Sequence, residues 1–171
     1  MVGMDIVKLP IEKWSEYREL RLRALKENPE AFSSSYANSL EQPEQFWKTR
    51  LADAERGERS WLLFARQDNK LVGMIGAFME GDSTETATVV SVYVPREERG
   101  DGISSRLMAE MLRVLSEVPR LKTARLDVNV SQLAAIRVYK QFGFRETGRK
   151  PATTGAGEAV KQLVMERDLP A

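Results

Sequence analysis

Residues 96–107 read REERGDGISSRL: Gly100 and Gly102 follow Arg99 and lead into Ile103, Ser104 and Ser105. The near-continuous apolar run TVVSVYV stands before this stretch and ends at Val94. After it, Ile103, Leu107 and Met111 recur at helical spacing. A strand, a glycine turn and a helix start together gather backbone N–H groups. The first turn of a helix has four donors with no partner inside the helix, and it carries partial positive charge. Glycine leaves no Cβ between such donors and an anion, and each N–H given to a charged oxygen contributes about 1.5–3 kcal/mol. The stretch therefore predicts a cradle for linked phosphates, made from the main chain between Arg99 and Ser105. Glu97, Glu98 and Asp101 outnumber Arg96 and Arg99 there, so the amides must supply most of the attraction. The competing reading is a turn whose glycines serve backbone geometry alone.

Absences narrow the chemistry further. The chain has no cysteine and no histidine. This excludes disulfides, thiolate metal sites, a cysteine nucleophile, a serine–histidine triad and an ordinary zinc site. Proton transfer must run through carboxylates, tyrosine, lysine, a terminus or water. No dense acidic cluster suggests a bound metal. No G-x-x-x-x-G-K-[ST] occurs, and Gly100-x-Gly102-x-x-Ser105 lacks the third glycine of a dinucleotide fingerprint. A net charge of +1 gives no basic face for nucleic acid. No apolar run approaches the roughly 20 residues that span a bilayer. The opening MVGMDIVKLP lacks a signal-peptide core, so the expected compartment is the cytoplasm.

The elements that must hold these residues follow from the pattern. The 171 residues suffice for one domain with a real core, expected to span 1–171. A first strand is predicted over Met4–Leu9 and a helix over Glu12–Glu27, stopped by Asn28-Pro29. A serine-rich loop follows, then a second helix from about Glu44 to Glu55. Ser60–Arg66 and Lys70–Glu80 flank the turn QDN as a hairpin, and Glu85–Val94 is the third strand of that meander. A helix runs from Gly102 to Glu117, and a strand over Leu121–Val128. The next helix runs from Ser131, a plausible N-cap, to Gln141, with Gly143 just past its end. Phe144–Lys150 and Ala159–Asp168 close the chain as strands around a Pro151–Gly157 loop. The order β-α-α-β-β-β-α-β-α-β-β describes an α/β protein with a mixed sheet and one parallel crossover.

SVYVPREERGDGISSRLM, followed some thirty residues later by AAIRVYKQFGFRETGR, resembles the GCN5-related N-acetyltransferase (GNAT) family. In that family a strand leads into [RQ]-x-x-G-x-[GA] and a helix; later comes a helix with N-x-x-A-x-x-x-Y, then G-F. Arg99, Gly102 and Ser104 fall on the first signature. Gln132, Ala135, Tyr139, Gly143 and Phe144 fall on the second. Ser104 stands where the family has glycine or alanine, though serine is also small, and Gln132 stands where it has asparagine; Asn129 is a neighbouring amide able to take that role. The element order fits the family from first strand to last.

The resemblance implies a GNAT fold, acetyl-CoA as co-substrate with no metal, and direct transfer of the acetyl group to a primary amine of a small molecule or peptide. It implies that Val92 and Val94 offer backbone groups to the pantetheine arm. Arg99, Gly100, Gly102, Ile103, Ser104 and Ser105 then hold the diphosphate, with Asn129, Gln132 and Tyr139 completing the coenzyme site. Tyr139 is the implied general acid, against the reading of a core aromatic. Glu85 is a candidate base, with Glu80 and ordered water as alternatives. Phe32, Tyr36 and Trp47 are candidate walls of the acceptor pocket, and the Thr153–Gly157 loop a further one. Relatives are often dimers, so monomer and homodimer both stay open. The alternative function is a non-catalytic acyl-CoA sensor on the same fold; a transferase with a longer acyl donor is a third reading.

Overall fold

The computed structural model describes residues 3–170. Strand β1 (Met4–Val7) leads through a 3-10 turn into helix α1 (Trp14–Glu27), followed by short helix α2 (Tyr36–Leu40) and α3 (Glu44–Arg56). Strands β2 (Ser60–Gln67), β3 (Lys70–Phe78) and β4 (Thr86–Tyr93) form the meander. Helix α4 (Ile103–Ser116), strand β5 (Thr123–Asn129), helix α5 (Leu133–Gln141) and strands β6 (Arg145–Thr153) and β7 (Ala159–Asp168) complete the chain. The seven strands form one sheet in the order β1-β2-β3-β4-β5-β7-β6. Every neighbouring pair is antiparallel except β4 and β5.

Three local expectations are corrected. Helix α2 lies inside the segment expected to be loop. The Ser35 hydroxyl caps it by accepting the Asn38 amide at 3.1 Å, a side-chain contact that starts a helix too short to show periodicity. Gln132, not Ser131, is the residue before α5, and no side chain caps that helix. Strand β6 runs through Pro151 to Thr153, which shortens the expected loop. Proline is tolerated because β6 is an edge strand.

The sheet is buried on both faces, which is why TVVSVYV reads as a continuous apolar run. On one face α4 sets Leu107, Met108, Met111 and Leu115 against Ala65, Val72, Ile75 and Val89. Each such side chain contributes about 1.5–3 kcal/mol by leaving water, and together they fix the start of α4 relative to the end of β4. On the other face α1 and α3 pack Tyr17, Leu20, Leu25, Trp47 and Leu51 against Phe64, Met74 and Tyr93. Tyr17 sits edge-on to Trp47 at 5.4 Å and to Phe64 at 5.6 Å.

Polar ties join the ends of these layers. The Tyr93 hydroxyl donates to Glu27 at 2.7 Å, and Arg23 bridges Glu27 and Glu97. Arg23 pulls the exposed Glu97 carboxyl down to about 2. A carboxyl depressed this way stabilises the fold above the ordinary carboxylate range, and the contribution disappears as pH falls towards 2. Asn129 holds the end of β5 to the segment after α1: its Nδ2 donates to the Glu30 carbonyl at 2.8 Å, and its Oδ1 accepts from Gln162 at 3.2 Å. The hairpin tip between β6 and β7 docks on that same segment, where the Gly155 amide donates to the Phe32 carbonyl at 2.9 Å.

A side chain at Gly155 has no room, since a Cβ there would lie 2.0 Å from the Ser34 carbonyl oxygen. Gly155→Ala is therefore expected to cost about 1–3 kcal/mol, measured as a lower urea midpoint. Gly148→Ala, where a Cβ meets nothing within 4 Å, is the control and stays within about 0.5 kcal/mol of wild type.

Candidate active site

Strands β4 and β5 begin as a parallel pair and then part. Their register holds at Thr86 with Thr123, Ala87 with Ala124 and Thr88 with Arg125, and goes no further. Beyond it β5 keeps full pairing with β7, as far as Asn129 with Gln162. Strand β4 bends away at a bulge: Gly76 faces Val90 and Met74 faces Tyr93, so Ser91 and Val92 together oppose Ile75. Ser91 carries the strain, with φ at +59°, a conformation that costs a non-glycine residue about 1–2 kcal/mol. Arg21 of α1 steadies it by donating to the Ser91 hydroxyl at 2.8 Å. The parted strands open a cleft of about 1350 Å³.

The glycine loop stands at one end of this cleft. Gly100 has φ +98° and Gly102 φ +75°, so both need glycine for conformation. A Cβ on either would meet no protein atom within 4 Å, so both also face open space. No side chain caps α4, which leaves the amides of its first turn directed outward. Arg99 is a buttress here: its Nε donates to the Val94 carbonyl at 2.8 Å, locking the loop to the end of β4. With the Asn28 amide turned so that its nitrogen donates to the Glu27 carbonyl, its oxygen accepts from Arg99 Nη2 at 2.9 Å.

Of the expected site residues, Val92, Val94, Arg99, Ser104, Gln132 and Tyr139 line the cleft. Val92 and Val94 lie past the last β4–β5 pair, although the Val94 carbonyl is already taken by Arg99. Gly100, Gly102 and Ser105 shape the loop and first turn beside it. Ile103 is 4% exposed and packs into the core, so only its main chain faces a ligand. Asn129 does not reach the cleft, because both ends of its amide are engaged in holding β5. Glu85 does not reach it either: it precedes β4 at the paired end and bridges Lys122 at 3.1 Å in solvent. Phe32 lines the cleft, but Trp47, 1% exposed, packs in the core under α1 and α3, and Tyr36 of α2 lies partly buried against that core. Thr153 and Thr154 line it from the hairpin.

Tyr139 stands on the α5 side, edge-on to Phe144 at 6.2 Å. Its hydroxyl has no protein partner among the described residues, and burial raises the phenol above its ordinary pKa, which keeps it protonated. Two lining residues went unnoticed in the sequence. Asp127 of β5, in the parted region, accepts from Lys150 at 2.8 Å and from Arg125 at 3.3 Å. The strand alternation of RLDVN, with Leu126 and Val128 in the core, is the signal that sets Asp127 on the other face. Arg21, 7% exposed, falls on the same stripe of α1 as Tyr17, Ala24 and Leu25; a charge on an apolar stripe was its signal.

The sequence profile of the Acetyltransferase (GNAT) family matches residues 16–144. The L-amino acid N-acetyltransferase AaaT of Escherichia coli is 30% identical over 138 residues, covering 77% of this chain and 83% of its own. The N-alpha-acetyltransferase daf-31 of Caenorhabditis elegans is 32% identical over 117 residues, covering 64% and 63%. Among solved structures, a GNAT-family acetyltransferase from Streptococcus pneumoniae superposes with a TM-score of 0.85 at 15% identity, over 98% of this chain and 100% of that one. The PaiA N-acetyltransferase of Thermoplasma acidophilum, in complex with coenzyme A, does so with a TM-score of 0.73 at 19% identity, over 97% and 99%. The parted strands, the uncapped helix start and the profile that spans both signatures agree: the chain belongs to the GNAT family of N-acetyltransferases.

Proposed function

We propose that the protein transfers the acetyl group of acetyl-CoA directly to a primary amine held in the same cleft, with Tyr139 assisting the leaving sulfur. The observation that carries this reading is the parting of β4 from β5 between an uncapped helix start and a protonated phenol. The residues fit the coenzyme. Gly100 and Gly102 present open backbone for the diphosphate, the amides of Ile103, Ser104 and Ser105 supply donors, and Val92 offers main chain to the pantetheine arm. Gln132 lines the cleft at the start of α5. The two relatives' names divide between free amino acids and protein amino termini, and both acceptors are amines. The expected setting is the cytoplasm; among the described residues no helix is long and apolar enough to cross a membrane.

Acetyl-CoA supplies a thioester: the amine nitrogen bonds to its acyl carbon, the C–S bond breaks, and the surplus amine proton goes to a base. A primary amine is ordinarily protonated, with a pKa near ~10.4, so a proton acceptor is needed. Asp127 takes that role, directly or through water. It is a cleft-lining carboxylate on a wall of the gap, whereas Glu85 is turned away. Lys150 and Arg125 hold Asp127 in place. Tyr139 donates its hydroxyl hydrogen towards the sulfur as charge develops there.

The non-catalytic sensor remains the contrasting reading. It requires acetyl-CoA binding with no CoA release across an amine panel, measured as free thiol. The absence of cysteine removes the protein's own background.

Three outcomes are expected. Gly102→Val, whose side chain would enter open space, weakens acetyl-CoA binding about 10-fold or more by calorimetry. Its stability loss is limited to about 1–2 kcal/mol of backbone strain; unchanged affinity removes the cradle from the coenzyme site. Tyr139→Phe lowers kcat on the order of 10²–10⁴-fold with near-normal acetyl-CoA binding. Because burial raises the Tyr139 pKa, its protonated form persists through the ordinary phenol value, and kcat shows no alkaline fall from this group below about pH 10. Asp127→Asn lowers kcat about 10²-fold, with partial recovery at high pH where the amine arrives neutral; a variant as fast as wild type at pH 7 excludes Asp127 as the base.

A further inference from the structure

Arg21 is a cation in an unusual place. Its side chain leaves α1 on the face that packs against the sheet, and the residue is 7% exposed. One guanidinium nitrogen donates to the Ser91 hydroxyl at 2.8 Å, and the group lies 4.7 Å above the Phe32 ring. Neither neighbour carries a negative charge. Among the described residues no carboxylate lies within ion-pair distance of Arg21. The acidic groups that line the same cleft are engaged or exposed: Asp53 pairs with Arg56, Asp127 pairs with Lys150 and Arg125, and Glu30 and Glu80 face solvent. A second guanidinium, Arg50 of α3, lines the cleft near enough to disfavour the charge on Arg21. Burial disfavours it more.

Such a group weakens the free protein. A buried charge without a countercharge is costly, and an apolar side chain of similar volume would pack the site better. The bond that steadies Ser91 uses one nitrogen of the fork and needs no charge, since a neutral donor serves a hydroxyl equally. What Arg21 does provide is a planar fork of donors at the bulge where β4 leaves β5, on the α1 and α3 face of the sheet. Tyr139 packs with the opposite face.

We infer that Arg21, with Arg50 at the rim, binds a carboxylate of the acceptor, so that the amine substrate is a small amino acid rather than a neutral amine or a peptide amino terminus. The inference rests on the acetyl transfer proposed above and names the acceptor for it. A guanidinium matches a carboxylate in plane and in charge, giving two parallel hydrogen bonds. With the carboxylate at Arg21, an amine one carbon away lies beside the parted strands, where the thioester must be placed for attack. A peptide bond in place of the carboxylate would leave the Arg21 fork facing a neutral carbonyl, a mismatch that a site built for charge rejects strongly.

The test uses the full chain, acetyl-CoA and a matched acceptor series read as CoA thiol release. The series comprises a free L-amino acid, its primary amide, its methyl ester, the amine lacking the carboxyl, and a peptide with the same first residue. The free acid is expected to exceed every other member by about 10²-fold or more in kcat/KM, the scale of a charge-assisted pair. Arg21→Gln is expected to bring acid and amide within about threefold of each other, and Arg21→Lys to keep an intermediate preference. Arg50→Gln, a surface change, lowers the acid-to-amide ratio by about threefold; it also decides the question should Arg21→Gln not fold by circular dichroism. Turnover of the amide or the peptide at a rate equal to the acid overturns the inference while leaving the transferase intact. A folded Arg21→Gln protein that keeps the full preference for acid overturns the role of Arg21. Acetyl-CoA binding with no thiol release from any member refutes the transferase itself, and the inference with it.

Discussion

Two parallel strands that stop sharing hydrogen bonds halfway along their length are the constraint on which the rest of this molecule depends. A sheet does not surrender ladder bonds freely, because each backbone group left without a partner inside a protein is costly. Here the loss is confined to one side. Strand β5 keeps its partner β7 to the end, and β4 keeps β3 across a bulge. The open side of β4 and the open side of β5 therefore face one another across a gap walled by main chain. A ligand able to imitate a strand regains what the sheet gave up.

The bulge also explains how two different chemistries meet at one place. By inserting Ser91 into β4, it rotates the strand's outer half so that Val92 and Val94 join the α4 face while Tyr93 points to Glu27. The end of β4 is then delivered to the glycine loop, which Arg99 pins through the Val94 carbonyl. On the α1 and α3 face the same insertion carries the Ser91 hydroxyl to Arg21. One extra residue thus delivers β4 to a loop of open amides at one end of the cleft and leaves a buried guanidinium on the other face. The division is sensible electrostatically. At the glycine loop Glu97, Glu98 and Asp101 offset the charges of Arg96 and Arg99, whereas Arg21 at the bulge has no carboxylate within ion-pair distance among the described residues.

The sequence displays some of this plainly and hides the rest for physical reasons. The glycine loop was legible because Gly100 and Gly102 adopt positive φ, which few other residues tolerate. Helix α4 was legible because its buried face repeats at helical period, and the parallel crossover followed from strand, helix and strand in succession. The bulge was not legible: Ser91 interrupts TVVSVYV without a glycine, proline or asparagine to mark it, and its strain is balanced by Arg21, seventy positions away. Asn129 and Glu85 lie outside the cleft for the same kind of reason. Their partners, Glu30 with Gln162 and Lys122, are set by tertiary packing and not by spacing along the chain. Arg21 and Asp127 left a trace in the periodic pattern of their own elements, but a charge on an apolar face is informative only when nothing nearby cancels it. That is a property of the assembled cleft.

The raised pKa of Tyr139 constrains how the phenol can act. A thiol of ordinary acidity loses its proton near ~8.5, well below a buried phenol, so complete transfer from Tyr139 to a thiolate would run uphill. Hydrogen bonding does not have this difficulty. A neutral phenol facing the sulfur in a site shielded from water stabilises charge as it develops and needs no reorganisation to do so. In the transfer proposed above, the amine proton goes to the base and the departing thiolate takes its proton from water. On this account burial of Tyr139 keeps the donor intact across the working pH range. In the transfer proposed above, Asp127, which lines the cleft and is held between Lys150 and Arg125, would accept the amine proton.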